Sequence, residues 1–431
     1  MLENWVSKNN KVWNQLFEEN NILKEINNNG FYEITADQIK KAGREPRLMT
    51  KFDSSENLPE IFKENSLAIL PIKRGSYIIG RFQNYQDIEI DNNIDVETKV
   101  LPDFISTIDY HNITSEAVSL NAAYISGMLE DIVGEKVVPT ISGRMGTGEF
   151  NYNILLSNEN SFEVKVENSQ MEIDGSYESI SKFIILEAKN HFMKDFIIRQ
   201  LYYPYKVWKN NTNKEIIPIM LIKHDNIYNF FIYSFENDND YNSIKLQKIK
   251  RYILDEPYNP IEVSDIMNIM EKINFVEEPT DVPFPQANTF ELVLDLLDEL
   301  NRQDMTKDEI TEFLEYDPRQ TDYYINAVRY LNLATKKDKY TLTEYGKSIM
   351  RMNQKNRSLE IIKAILSHKP FYLAMKQQLV DFDFDKDEIA KSIDDCRREL
   401  NGSTPGRRTS SVMAWIKWIL DITLYMEQAN L

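Results

Sequence analysis

Three residues in the middle of the chain have types and spacing that suit hydrolytic chemistry: Asp174, Glu187 and Lys189. Asp174 closes the short segment Gln-Met-Glu-Ile-Asp, and Glu187 and Lys189 end the apolar run that follows, Phe-Ile-Ile-Leu-Glu-Ala-Lys. Residues i and i+2 of a strand point to one face, so Glu187 and Lys189 project together from a strand end. If the preceding strand pairs with this one, Asp174 joins them. Two carboxylates are then placed to hold a hard divalent cation such as Mg2+, which takes oxygen ligands and keeps several waters. Such a cation acidifies a bound water and offsets charge as a phosphodiester is hydrolysed. Lys189 would orient or deprotonate the water and neutralise the phosphate.

The spacing by itself is weak, because charged residues make up 27% of the chain and solvated hairpin ends would give the same pattern. The neighbouring segments strengthen it. Four consecutive apolar residues, Phe183 to Leu186, suggest a strand buried on both faces. Upstream, Val118, Ala122, Ile125, Leu129 and Ile132 fall at helical spacing, with Ser115 as N-cap and Gly134 as stop. Between them, Phe162, Val164 and Val166 alternate with charged residues as in a half-exposed strand. Downstream, a helix is expected from about Phe192 to Trp208, then the apolar strands IIPIMLI and NFFIYSF. This order predicts an α/β core over residues 111–277.

The flanking regions differ. Residues 1–110 read as an α+β region: a helix pair over 1–30, then short strands and helices, among them FYEIT, ADQIKKA, LAILPI and SYIIGRF. Beyond the Pro-rich linker EEPTDVPFPQ the pattern is mostly helical, giving a segment over 286–352 and a second helical module over 353–431.

Composition removes several function classes. Cys396 is the one cysteine, so no internal disulfide framework or Cys-rich metal site is available. The four histidines are scattered, with no HExxH, and neither a P-loop nor a Gly-x-Ser-x-Gly elbow occurs. The N-terminal residues lack an apolar signal core and no apolar run is long enough for a membrane span, so a cytoplasmic protein without membrane contact is expected. The 68 acidic against 50 basic residues leave a formal charge of −18, which argues against indiscriminate coating of nucleic acid. Basic residues are instead gathered locally, over Gln38–Lys51 and Thr404–Trp418.

In Ile173-Asp174-Gly175, Leu186-Glu187-Ala188-Lys189-Asn190 and the following Arg199-Gln200-Leu201-Tyr202-Tyr203-Pro204-Tyr205, the chain resembles the PD-(D/E)XK nuclease superfamily, and within it type II restriction endonucleases. The helix SEAVSLNAAYISGMLEDIVGE and the SGRMGTGEFNYNILL segment add to the likeness. The resemblance implies a mixed-sheet α/β core, Asp174 and Glu187 as metal ligands and Lys189 as the water-orienting lysine, with Mg2+ as cofactor and Mn2+ as substitute. The family often adds an acid from its first core helix; Glu116 and Glu130 are the candidates, and Glu116 is favoured. The chain departs from the family in having Ile173, not proline, before Asp174.

Contacts to double-stranded DNA are expected from several places: Arg44, Arg47 and Lys51 in the Ala42–Lys51 loop, Arg144 in the glycine-bearing loop, and Arg199 and Gln200 after the lysine strand. Residues 288–345 resemble a winged helix, whose third helix would present Arg319 and Gln320 to base edges, with Lys336, Lys337 and Lys339 in the wing meeting phosphates. Arg407, Arg408, Thr409 and Ser411 open the last amphipathic helix as a further DNA-contacting site, while Trp415 and Trp418 read as core. The expectation is a Mg2+-dependent, sequence-specific endonuclease, working as a homodimer or by transient pairing and accompanied by a cognate DNA methyltransferase. The alternatives are a non-catalytic winged-helix regulator and a repair or mobile-element nuclease with the same core.

Overall fold

The run Phe183–Leu186 has no polar face to turn to water, and the strand that contains it, Lys182–Lys189, is buried from Phe183 to its end. In the computed structural model, which describes residues 8–110, 113, 115–254, 260–314, 316, 318–397 and 404–424, this strand lies inside a mixed sheet. It pairs in parallel with Glu215–His224 along its length, from Lys182 opposite Glu215 to Lys189 opposite Ile222. On its other edge it pairs antiparallel with Gly175–Glu178, Gly175 lying opposite Leu186. The parallel pair needs a crossover, which the helix Arg199–Lys209 supplies.

The chain is mixed α/β and divides into two compact units, one comprising residues up to Ile90, Ser115–Lys223 and Tyr228–Arg251, the other Asp91–Thr114, His224–Ile227 and Tyr252 onward. This division is coarser than the four segments expected from the sequence. In the first unit the N-terminal strands do not stand apart. A second sheet runs Phe31–Thr35, Ser76–Gly80, Ala68–Lys73, Ser161–Glu167, Glu149–Leu155, so the hairpin around Arg74 is built onto a hairpin of the core.

Two elements differ from their expected form. The helix expected over Ser115–Val133 is broken into Glu116–Ile125 and Met128–Val133 at Gly127, whose φ of 79° lies in the left-handed region that glycine enters without steric cost. The helix expected from Phe192 begins at Arg199. Before it, Asp195–Ile197 forms a strand against Tyr85–Asp87, because tertiary partners capture Asp195: Ser54 Oγ (2.7 Å) and the Ser55 N–H (2.8 Å) donate to its carboxylate, as does the Ser55 hydroxyl. Ser142–Gly148, expected as a flexible turn, contains the strand Gly143–Gly146, paired with Gln170–Ile173 so that Arg144 lies opposite Glu172.

In the second unit the helices Phe290–Arg302, Lys307–Leu314 and Pro318–Tyr330 are followed by the hairpin Ala334–Lys336 and Tyr340–Leu342, with Met305 bridged to Tyr340. Trp415 and Trp418, on the helix Thr404–Asp421, are buried against Phe290, and the Trp415 indole donates to the Ala287 carbonyl (2.7 Å). No helix among the described residues is long and apolar enough to cross a membrane.

Asp195 is buried and holds three donors from Ser54 and Ser55, so Asp195→Ala leaves those donors without their acceptor. Chemical denaturation should show a loss of about 2–3 kcal/mol, the cost of orphaning buried polar groups; a change within error would mean that this clamp contributes nothing to stability.

Candidate functional site

The antiparallel pairing of Gly175 with Leu186 puts Asp174 beside the end of the strand carrying Glu187 and Lys189. The Ala188 N–H donates to Asp174 Oδ2 (2.9 Å), tying the two strand ends together through one carboxylate. A side chain at Gly175 would press on Leu120 (3.3 Å) of the Glu116–Ile125 helix, so the absence of a Cβ there lets that helix approach the strand tip. Glu116, in its first turn, is 3.9 Å from the Lys189 ammonium. Glu130, the other acid considered, is not part of this cluster.

Lys189 is 6% exposed and lies among acids. Its Nζ donates to Glu187 Oε1 (3.0 Å), and Asp53 Oδ2 is 3.4 Å away. Gln200, at the start of the crossover helix, donates from Nε2 to the same Glu187 oxygen (2.5 Å). Gln200 is thus a buried partner of Glu187 and does not reach outward as expected from the sequence. Asn190 accepts from Ser119 Oγ (2.6 Å), a second tie between the strand end and the Glu116–Ile125 helix.

Charge follows from this packing. Burial lowers the affinity of Lys189 for its proton, but the carboxylates of Glu187, Asp53, Glu116 and Asp174 outweigh that and hold it charged, with a pKa well above 10.5. Burial raises the Glu187 carboxyl, Lys189 opposes this, and Asp174 and Asp53 add to it, leaving it pushed up to about 8. Glu116 is raised by burial, against the pull of Lys189. Asp53, also penalised by burial, is nonetheless held below 3.8 by Lys189, Lys51 and Arg199. Burial is the first cause of the raised carboxyls of Glu187 and Glu116, and neighbouring acids add to it.

The donor set suits a hard cation. Asp174 and Glu187 offer oxygens from adjacent strand ends, and one or two carboxylates with waters satisfy Mg2+. Asp53 Oδ1 and Gln200 Oε1 are buried without hydrogen-bond partners. Among the described residues no group of three His, Cys, Asp or Glu side chains converges as a ready ligand cluster. The Lys189 ammonium is itself the cation among these acids.

These residues floor a cleft of about 470 Å3 in the first unit. Its walls are basic. Arg47 and Lys51 come from the N-terminal region, Lys73 and Arg74 from the turn of the Ala68–Gly80 hairpin, Arg144 from its strand, and Arg199 from the crossover helix. With Lys189 this makes seven cationic side chains against the four acids Glu116, Glu172, Asp174 and Glu187, the reverse of a chain whose formal charge is −18. Arg47, Lys51, Arg144 and Arg199 were expected to meet DNA. Lys73 and Arg74 were visible only as a turn, and Asp53 carried no signal at all, because its role depends on a segment folding back from far upstream.

Other expected contacts lie elsewhere. Arg44 is committed within the fold, donating from Nε (3.0 Å) and Nη2 (2.7 Å) to Asn9 Oδ1. Arg319 and Gln320 are exposed at the start of Pro318–Tyr330, with Arg319 Nε donating to the Tyr323 hydroxyl (3.0 Å). Lys336, Lys337 and Lys339 are exposed in the hairpin that follows. Thr409 and Ser411 are buried and turned inward, to the Gly406 carbonyl (2.6 Å) and Asn288 Oδ1 (2.7 Å), so neither hydroxyl is presented to a ligand. Arg408 is half-buried, and the side chain of Arg407 lies outside the described residues.

The family models that match the chain are each described as a domain of unknown function: DUF6996 over residues 10–79, DUF6997 over 80–253 and DUF7226 over 292–424. No curated protein and no solved structure matches it. The first two matches meet inside the first compact unit, and the acidic cluster draws Asp53 from one and Glu187 and Lys189 from the other.

The raised carboxyl of Glu187 has a consequence for stability. Its folded value near 8 lies above the ordinary 4.5, so its ionisation penalises the fold increasingly from about pH 4.5 to 8, and below that window the penalty is absent. Relative to the unmodified chain, Glu187→Gln should gain melting temperature as the pH is raised from about 5 to 8 in EDTA. A difference that does not change with pH in thermal melts would refute the raised value.

Proposed function

We propose that this chain is a Mg2+-dependent endonuclease that hydrolyses phosphodiester bonds in double-stranded DNA, of the PD-(D/E)XK type and with the role of a type II restriction enzyme. The observation that carries the reading is the convergence of Asp174, Glu187 and Lys189 at adjacent strand ends on the floor of a basic-walled cleft. An acidic floor under basic walls is what cleavage of a polyanion requires. The walls neutralise phosphates on either side of the scissile bond, and the floor supplies oxygen donors at the bond itself.

Asp174 and Glu187 would hold the divalent cation, which supplies an acidified water and neutralises charge on the scissile phosphate. The Ala188 N–H and the Gln200 amide fix those two carboxylates in place. Lys189 keeps its proton, so it serves as a hydrogen-bond donor and fixed positive charge that orients the attacking water and the phosphate, and not as the base. Glu116 faces the same ammonium and fills the place of the helix acid found in such nucleases. Arg47, Lys51, Lys73, Arg74, Arg144 and Arg199 would contact the DNA backbone.

In the second unit, the three helices and hairpin support a winged-helix reading, with the exposed Arg319 and Gln320 at the start of the third helix placed to read base edges. Cutting both strands would take two catalytic clefts, hence a homodimer or transient pairing, and a restriction role implies a cognate methyltransferase.

Plasmid incubated with the full chain should be cut into discrete fragments with Mg2+ or Mn2+ and remain intact with EDTA. Glu187→Ala and Lys189→Ala should lose cleavage by a factor of at least about a thousand while still shifting DNA in a gel. Binding of DNA without cutting, with or without metal, would instead identify a regulator; a smear or structure-dependent cuts would identify a repair-type nuclease. Arg74→Ala and Arg144→Ala should each weaken binding for all sequences and reduce the salt dependence of log K by about one phosphate contact, read in a salt titration. An unchanged salt slope would remove those residues from the interface.

A further inference from the structure

Asp53 has no part in the three-residue reading of the cleft, yet it is 8% exposed and bound to its chemistry on both sides. Its Oδ2 lies 3.4 Å from the Lys189 ammonium and 3.4 Å from that of Lys51, and its Oδ1 is buried with no hydrogen-bond partner. The backbone around it is fixed. The Ile197 N–H donates to the Asp53 carbonyl (2.9 Å), and the next two residues, Ser54 and Ser55, clamp Asp195. Asp53 is therefore held against the strand that leads directly into the helix bearing Gln200.

A buried ammonium needs a carboxylate. Lys189 has Glu187 at 3.0 Å, but Glu187 is also a proposed ligand of the divalent cation, and a cation drawn to Glu187 repels the ammonium beside it. A second carboxylate, not engaged with the cation, removes this conflict. The same carboxylate offsets repulsion between Lys189 and Lys51, whose side chain is about half exposed and lines the cleft. We infer that Asp53 is a positioning residue that anchors the Lys189 ammonium independently of Glu187 and brings Lys51 beside it, so that an N-terminal segment completes the cleavage site; as a statement about cleavage, this rests on the endonuclease reading.

The test compares Asp53→Asn, which keeps the shape and removes the charge, with Asp53→Glu, which keeps the charge, in the full chain. On plasmid DNA with Mg2+, Asp53→Asn should lower kcat about ten- to a hundredfold with KM for DNA within about threefold, because a misplaced catalytic group costs rate more than binding. Asp53→Glu should recover most of the loss. Independently of activity, reductive methylation in EDTA followed by mass spectrometry should label Lys189 several times faster in Asp53→Asn than in the unmodified chain. Unchanged kcat would overturn the inference, and so would equal losses in both variants accompanied by lowered melting temperatures, since these indicate a structural role only. Should the unmodified chain cut no DNA with Mg2+ or Mn2+, the endonuclease reading fails, and the labelling alone decides whether Asp53 anchors Lys189: faster labelling supports it, an unchanged rate overturns it.

Discussion

A positive charge taken out of water must be surrounded by negative charge, and the first unit meets that demand at Lys189. Its ammonium is almost fully buried, and each carboxylate near it arrives from a different part of the chain: Glu187 from the same strand, Glu116 from the helix packed against that strand, Asp53 from the N-terminal region. Without the strand that carries Lys189, Asp53 and Glu116 would lose the ammonium they face; without either of those carboxylates, Lys189 would keep Glu187 but lose part of the negative charge around it. The cluster is thus both the chemical centre of the cleft and a reason for these elements to pack together. Its raised Glu187 carboxyl has burial as its first cause, with Asp174 and Asp53 adding to it against the pull of Lys189.

The N-terminal region serves the cleft in three ways at once. Its Ala68–Gly80 hairpin extends a sheet of the core and offers Lys73 and Arg74 at its turn. The short helix Pro46–Thr50 and Lys51 after it form another part of the basic wall. Residues 53–55 are fastened to the strand Asp195–Ile197 by hydrogen bonds from side chains and backbone. A region that looks like an accessory domain in the linear sequence is, in the fold, part of the floor and walls of the site.

The lining of the cleft runs against the acidic balance of the whole chain. With a formal charge of −18, long-range attraction to a polyanion would be poor, and the excess of cations lining the cleft favours an anion there locally. Such an arrangement favours a ligand that enters the cleft over one that adheres anywhere on the surface. It also explains why counting charges over the whole chain says little about what the cleft binds.

What could be read from the sequence alone was whatever is set locally. The buried strand Lys182–Lys189 is written in four adjacent apolar residues, the N-cap Ser115 and the strand pairs of the N-terminal region in their own short patterns, and the shared face of Glu187 and Lys189 in strand periodicity; Asp174 joins them through Gly175–Glu178 and not through the expected Gln170–Ile173, which pairs with Gly143–Gly146. The core roles of Trp415 and Trp418 were legible for the same reason. Tertiary structure alone decided what depends on partners distant along the chain. It turned Asp195–Ile197 from expected helix into strand through Ser54 and Ser55, drew Gln200 inward to Glu187, and spent the hydroxyls of Thr409 and Ser411 inside the fold. It also brought Asp53 to Lys189, because a carboxylate's value to a buried ammonium depends on distance in space, and no spacing along the sequence encodes that distance.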